Sequence, residues 1–310
     1  MTSKVFIDGE AGTTGLQIAE RLDKREDISL IRLDDSQRKD PKARKDALLA
    51  ADIAILCLPD AASIEAYEMA QGESTRLLDA STAFRVNDDW VYGFAEMTAG
   101  QDHAIAVAKY VSNPGCYPTG AIGLLRPLRE AQMLPSTAAI SVNAVSGYTG
   151  GGKAMIAEYE SEASTGGFVY GTSQGHKHLP EMAKYGMLEN QPIFVPSVGN
   201  FAQGMVVQVP LHLNTIAGAP TLENVHEALT NHYASNGFVQ VLPFDADQGR
   251  IEAEAMNGTN TLQLQVCGNA DKGQAVLVAV LDNLGKGASG AAVQNLNLMM
   301  GVDPATGLGG

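Results

Sequence analysis

Apolar and polar positions change rhythm several times along this chain, and each change predicts an element. Val5, Phe6 and Ile7 form an unbroken apolar run, Gly9, Gly12 and Gly15 then recur at every third residue, and Leu16, Ile18, Ala19 and Leu22 follow close to a helical period. That order predicts strand, glycine turn and helix, with the helix starting near Thr13 or Thr14, whose hydroxyls are available to cap it. Ile28 to Leu33 and Ile53 to Leu58 read as further strands, the second a continuous apolar run of the kind buried on both faces of a parallel sheet. A helical stretch from Ala61 to Ala70 and strands at Leu77 to Asp79 and Lys109 to Ser112 continue the alternation. Strands alternating with helices predict an α/β fold with a doubly wound, Rossmann-like parallel sheet.

Beyond Pro118 the rhythm is different. Ala121, Leu124, Leu125 and Leu128 stand at i, i+3, i+4 and i+7, which predicts a helix, with a kink or break near Arg126 because Pro127 lacks an amide proton. Ile140, Val142 and Ala144, and later Val207, Val209, Leu211 and Leu213, alternate with other residues as half-buried antiparallel strands do. Leu262 to Val266 and Ala275 to Leu281 add two more, so this region reads as mixed α+β with a large sheet. Its apolar face is a candidate subunit interface in a homo-oligomer, a dimer or tetramer, and His212, alternating with that face, reads as a structural or interface residue rather than a catalyst. Near the C-terminus Ala292, Leu296, Met299 and Met300 share one face of a small-residue helix. We expect two domains: residues 1–117, with residues 286–310 packing back on them, and residues 118–285.

Charge narrows the partners. The 310 residues carry 35 acidic against 21 basic side chains, a formal net charge of -14, which argues against a general nucleic-acid surface or an anionic membrane surface. An anionic ligand therefore needs a local positive site. No apolar run approaches a membrane span, the start lacks a signal-like segment, and the cysteine count is odd, so a reduced, cytoplasmic protein is expected. Of six histidines only His176 and His178 stand close together, and no metal is expected. Cys57 and Cys267 lie in apolar runs as small core hydrophobes.

Candidate chemistry gathers at three places. The spacing Gly9-x-x-Gly12-x-x-Gly15 between strand and helix offers the amides of a helix N-terminus to a phosphate. About 20 residues on, where a ribose contact is expected, stand Asp34, Asp35 and Ser36, followed by Arg38 and Lys39. An acid there suits a free ribose hydroxyl, whereas Ser36, Arg38 and Lys39 suit a 2'-phosphate, so the chemistry leans to NADP; the same charges would also solvate a loop tip. Pro59, Ser81 and the loop carrying Arg85 follow strand ends and belong to the cofactor rim.

The second place is Cys116, set in a turn of Pro114, Gly115 and Pro118 between the last strand and the next helix. The partial positive charge of a helix N-terminus favours the thiolate, although an inert turn thiol is the alternative. Asn113 and the Cys116 amide could act as oxyanion donors. The third place is Gly175-His176-Lys177-His178-Leu179-Pro180-Glu181, downstream of the glycine-rich run ending at Lys153. Either histidine would serve a thiol as acid or base, and the spacing does not choose between them.

Four stretches together closely resemble the N-acetyl-gamma-glutamyl-phosphate reductase family: Gly9-x-x-Gly12-x-x-Gly15, Ser112-Asn113-Pro114-Gly115-Cys116-Tyr117-Pro118-Thr119, His176 to Glu181, and Asp282-Asn283-Leu284-Gly285-Lys286-Gly287-Ala288. The likeness spans nearly the whole chain, and Gly147 to Lys153 resembles the shorter, type 2 branch. It implies NADPH-dependent reduction of N-acetyl-glutamyl 5-phosphate, a small-molecule acyl phosphate, to the 5-semialdehyde in arginine biosynthesis, with Cys116 as nucleophile and His178 or His176 as acid/base. Ser81 to Arg85 resembles the family's Ser-Ala-Asp-Phe-Arg, which makes Arg85 a candidate for the substrate's negative charge, with Lys153 a second. Tyr92 to Glu96 resembles Tyr-Gly-Leu-Pro-Glu, with Ala95 where proline is usual. Aspartate-semialdehyde and aminoadipate-semialdehyde dehydrogenases share this chemistry, and a non-enzymatic NADP-binding redox sensor is the rival from another class.

Overall fold

The first apolar runs become a parallel sheet because each is covered from both sides. In the computed structural model, which describes residues 2–161, 166–235, 237–246 and 249–309, the strands are β1 (Ser3–Asp8), β2 (Ile28–Ile31), β3 (Ile53–Leu56), β4 (Arg76–Asp79), β5 (Val91–Tyr92) and β6 (Tyr110–Ser112), in the order β2-β1-β3-β4-β6-β5 and parallel throughout. Helices α1 (Thr13–Leu22), α2 (Pro41–Ala50), α3 (Asp60–Ala70) and α4 (Gln101–Val107) connect them. Successive strand residues serve opposite layers: Val5 and Ile7 pack with Ile18, Leu22 and Ile105, whereas Phe6 packs with Leu48, Ala66 and Trp90. The expected start of α1 needs one correction. Gly12, which has no side chain, is its cap residue, so the hydroxyls of Thr13 and Thr14 stand inside the helix rather than capping it.

The second unit opens with α5 (Cys116–Glu130) and contains β7 (Ser141–Gly147), α6 (Gly152–Glu160), β8 (Phe168–Val169), α7 (Leu179–Tyr185), β9 (Ile193–Gly199), β10 (Met205–His212), α8 (Leu222–Tyr233), β11 (Val239–Val241), β12 (Leu262–Asn269) and β13 (Gln274–Leu281). Its sheet runs β11-β12-β13-β10-β7-β9-β8. It is mixed rather than purely antiparallel, since β7 pairs parallel with β9, and β11 with β12. The alternation in β7 and β10 behaves as expected: Val142, Ala144, Val207 and Val209 are buried, while Gln208 and His212 are exposed.

The break expected in α5 does not occur. The helix continues through Pro127 to Glu130, although the proline cannot donate to the carbonyl of Gly123 four residues earlier. That carbonyl accepts instead from the Tyr233 hydroxyl at 2.9 Å.

From β13 the chain passes through one turn of π-helix (Gly285–Ser289) into α9 (Gly290–Met300). Ala292, Val293, Leu296 and Met299 of α9 belong to the same apolar layer as Val5 and Ile18. Arg76 closes two helices there: it donates from Nε to the Ala108 carbonyl at 2.9 Å, from Nη2 to Ala106 at 2.8 Å and from Nη1 to Met299. The first unit thus comprises residues up to Ala95, Gly100–Pro114 and Ala288–Gly309, and the second Glu96–Ala99 and Gly115–Gly287. The change of unit falls between Pro114 and Gly115, so Cys116 goes with the second. Among the described residues no helix is long and apolar enough to cross a membrane, and no group of His, Cys, Asp and Glu could hold a metal ion.

Candidate active site

In the first unit the glycine turn is a close-fitting cradle. Gly9 has φ +89°, and a Cβ there would collide with the Cys57 carbonyl oxygen; one on Gly15 would come within 2.5 Å of the Gly9 carbonyl. Only bare backbone permits this approach. Beside it lies a cleft of about 380 Å³ lined by Asp8, Gly9, Glu10, Arg38, Lys39 and Arg44, among others. The amides at the start of α1 and this basic cluster suit a dinucleotide bearing an extra phosphate. Arg44, which the sequence did not single out, donates to the Asp8 carboxylate at 2.9 Å. Arg38 pairs with Asp35 at 2.8 Å, and the Ser36 hydroxyl donates to Asp34 at 2.6 Å; that hydrogen bond, with others from backbone amides, holds the Asp34 carboxyl below its usual range. Pro59 caps α3.

Two further candidates also lie in the first unit. Arg85 is buried, with Nη2 donating to the Ala80 carbonyl at 3.2 Å. Asn113 donates to the Ala288 carbonyl at 3.0 Å and accepts from Asn295 at 3.0 Å, which ties the chain before Cys116 to the start of α9.

In the second unit Cys116 is the half-buried first residue of the 15-residue helix α5, with Gly115 as its cap. Glu181, buried in the first turn of α7, accepts from the Gly115 amide at 2.9 Å, and Thr119 donates to the Gly115 carbonyl at 2.9 Å. The turn before the thiol is therefore held from both sides. Cys116 shares a cavity of about 240 Å³ with Ser146, Gly150, Met155, Tyr170, His176 and His178. Lys153 is exposed on α6 and is not part of that lining.

The two imidazoles lie 4.8 Å apart between ring centres. The backbone amide of His178 donates to Nδ1 of His176 at 3.1 Å, which places the proton of a neutral His176 on Nε2. Burial first, and the neighbouring Lys177 second, lower the His176 pKa from its ordinary value, which favours the neutral ring. His178 is buried. Behind them Tyr170 donates to the Tyr117 hydroxyl at 3.2 Å, and Tyr117 donates to the Ser197 carbonyl at 3.2 Å.

The structure thus brings Cys116, His176 and His178 into one cavity, and Gly9 and Arg38 to one cleft. Sequence patterns missed Tyr170, Met155 and Arg44, which carry no motif of their own. Glu181 had a signal: three residues after His178, it falls in the first turn of the helix that the histidine precedes.

Comparison with known proteins gives concordant results. A family model described as "Semialdehyde dehydrogenase, NAD binding domain" matches residues 4–105, and one described as "Semialdehyde dehydrogenase, dimerisation domain" matches residues 116–283. An N-acetyl-gamma-glutamyl-phosphate reductase of Brucella suis is 55% identical over 309 residues, covering 97% of this chain and 100% of its own length; one of Brucella canis is 54% identical with the same coverage. Among solved structures, an aspartate semialdehyde dehydrogenase II from Vibrio cholerae superposes with TM-score 0.70 at 15% identity, covering 97% of this chain and 98% of that one. A probable aspartate-semialdehyde dehydrogenase from Pseudomonas aeruginosa gives 0.71 at 15% identity, covering 97% and 99%. The last two comparisons concern the fold alone.

Proposed function

The chain belongs to the N-acetyl-gamma-glutamyl-phosphate reductase family of semialdehyde dehydrogenases, and from that premise we propose that it reduces N-acetyl-L-glutamyl 5-phosphate to N-acetyl-L-glutamate 5-semialdehyde and phosphate, a step of arginine biosynthesis. The observation that carries this is Cys116, the first residue of a long helix, in a cavity with two imidazoles.

The N-terminal end of α5 favours the thiolate over the thiol. The Cys116 sulfur attacks the acyl carbon; a C–S bond forms as the bond to the phosphate oxygen breaks, and phosphate leaves with its electrons. The Cys116 amide, and the Asn113 N–H not committed to Ala288, are candidates to hold the negative charge on the acyl oxygen. When bound, NADPH supplies a hydride to the carbonyl carbon of the resulting thioester. The hemithioacetal oxygen, protonated by a histidine, returns that proton as the C–S bond breaks, which releases the aldehyde and restores the thiolate. His178 takes this acid/base role, because Nδ1 of His176 is already engaged and its Nε2–H is left as a donor that orients the substrate.

Cofactor contacts fall to the backbone of Gly9, Gly12, Thr13, Thr14 and Gly15 for the pyrophosphate, to Pro59 at the rim, and to Ser36 and Arg38, with Lys39, for a 2'-phosphate. Arg85 and Lys153 remain the candidates for the substrate's anionic groups. The enzyme works as a homodimer through the outer face of the second sheet, the part matched by the dimerisation-domain model.

Trapping tests the proposal. After mixing with N-acetyl-glutamyl phosphate in the absence of NADPH, mass spectrometry should find an N-acetylglutamyl increment on the peptide holding Cys116, absent from Cys116→Ala. Full turnover by Cys116→Ala would refute the thioester route.

A further inference from the structure

The segment Asp282 to Gly287 has no part in the chemistry above, and none of its side chains lines the Cys116 cavity. Yet it is buried and heavily bonded. Asp282 accepts from the amides of Gly258 and Leu284, both at 2.9 Å. Asn283 accepts from the Gly204 amide at 2.7 Å and donates at 3.0 Å to the hydroxyl of Thr149, in the glycine-rich run whose Gly150 lines the cavity. Lys286 donates to both carboxylate oxygens of Glu96, at 2.9 and 2.8 Å, and lies 5.2 Å over the ring of Phe238. The two side chains of that pair are 2% and 4% exposed.

A buried ion pair is a poor way to gain stability, because desolvation offsets the attraction and an apolar pair of similar volume holds a fold as well or better. What such a pair does well is define a position. Lys286 lies in the π-turn Gly285–Ser289, where the chain departs from α-geometry. The next residue, Gly287, donates its amide to the Asp282 carbonyl at 2.9 Å and has no room for a side chain: a Cβ would stand 2.9 Å from Cβ of Cys116 and 3.3 Å from its Cα. The backbone of Gly287 is therefore the floor on which the cysteine rests, and a shift of the turn moves the sulfur. Nucleophile placement is unforgiving, with a misplacement of about 1 Å able to reduce a rate about a hundredfold.

We propose that Lys286 and Glu96 are positioning residues, whose ion pair holds the π-turn so that Gly287 sets the pose of the Cys116 sulfur. This rests on Cys116 being the nucleophile, and it concerns the placement of that group rather than its identity.

The test is the double variant Lys286→Met/Glu96→Leu, which replaces the pair with apolar side chains, studied beside Gly287→Ala in the full-length protein. The measurements are the melting temperature, the rate at which iodoacetamide alkylates Cys116 in the absence of substrate, and kcat and KM with NADPH and N-acetyl-glutamyl phosphate. The expected result is a folded double variant in which alkylation and kcat both fall at least about tenfold while both KM values stay within about twofold. Gly287→Ala should show the same split. A folded double variant with wild-type alkylation and kcat overturns the proposal; if the double variant does not fold, wild-type kcat in Gly287→Ala overturns it. Failure of the thioester reading would appear separately, as turnover by Cys116→Ala.

Discussion

Three cysteines meet three environments in this chain, and the differences decide which of them can react. Just beyond β3, burial above all, with the carboxylates of Asp79 and Asp8 adding to it, pushes the Cys57 thiol up to about 12. Cys267, on β12, is raised by burial. Cys116 alone opens a helix, beside two imidazoles. Iodoacetamide at neutral pH should therefore label Cys116 and spare Cys57 until the protein is unfolded, as peptide mapping by mass spectrometry would show; equal labelling of the two in the native protein would contradict these environments. His176 follows the same logic with the opposite charge. Its folded pKa lies below the ordinary 6.5, so the unfolded chain binds that proton first. The stability this contributes is present above that ordinary value and is lost as pH falls through the folded one.

At the scale of elements, α5 shows how a local rule is overridden by a distant group. Pro127 withholds the amide that would satisfy Gly123, and a tyrosine 110 residues further along the chain supplies the missing donor. Tyr233→Phe should lower stability by about 1–3 kcal/mol, the penalty of a buried carbonyl left without a partner, measured by denaturant unfolding. Pro127→Ala in the same background should recover much of that loss by returning the amide, and a double-mutant cycle showing no coupling would refute the substitution of one donor for the other. Helix α1 illustrates the converse. Glycines hold its start open instead of a hydroxyl cap, which leaves its first amides to a ligand.

For the whole molecule, the second sheet leaves apolar groups on its outer face. Val276 is 38% and Ile193 59% exposed, and a groove of about 540 Å³ runs past Pro210, His212 and Val276. Apolar surface of this kind is what a subunit interface covers. Light scattering should give twice the 32.6 kDa of one chain, and Val276→Asp should shift the distribution towards monomer; a wild-type mass of one chain would refute the dimer.

Periodicity and glycine spacing made the doubly wound sheet, the turn at Gly9 and the helix after Cys116 legible before any coordinates, because each depends on residues within a few positions of one another. The same holds for Cys116 as the proposed nucleophile, whose candidacy comes from its place at the start of its own helix. Glu181 on the Gly115 amide, Tyr233 on Gly123, Arg44 beside Asp8 and Gly287 under Cys116 were not legible, since nothing local to any of those residues names its partner. The sequence alone determined which segments would be helix or strand and which groups were candidates to react, through short-range sterics and the period of apolar positions. Only the tertiary structure decided which distant backbone and side-chain groups would meet, because those contacts arise when the packing of whole elements brings together residues that no local pattern relates.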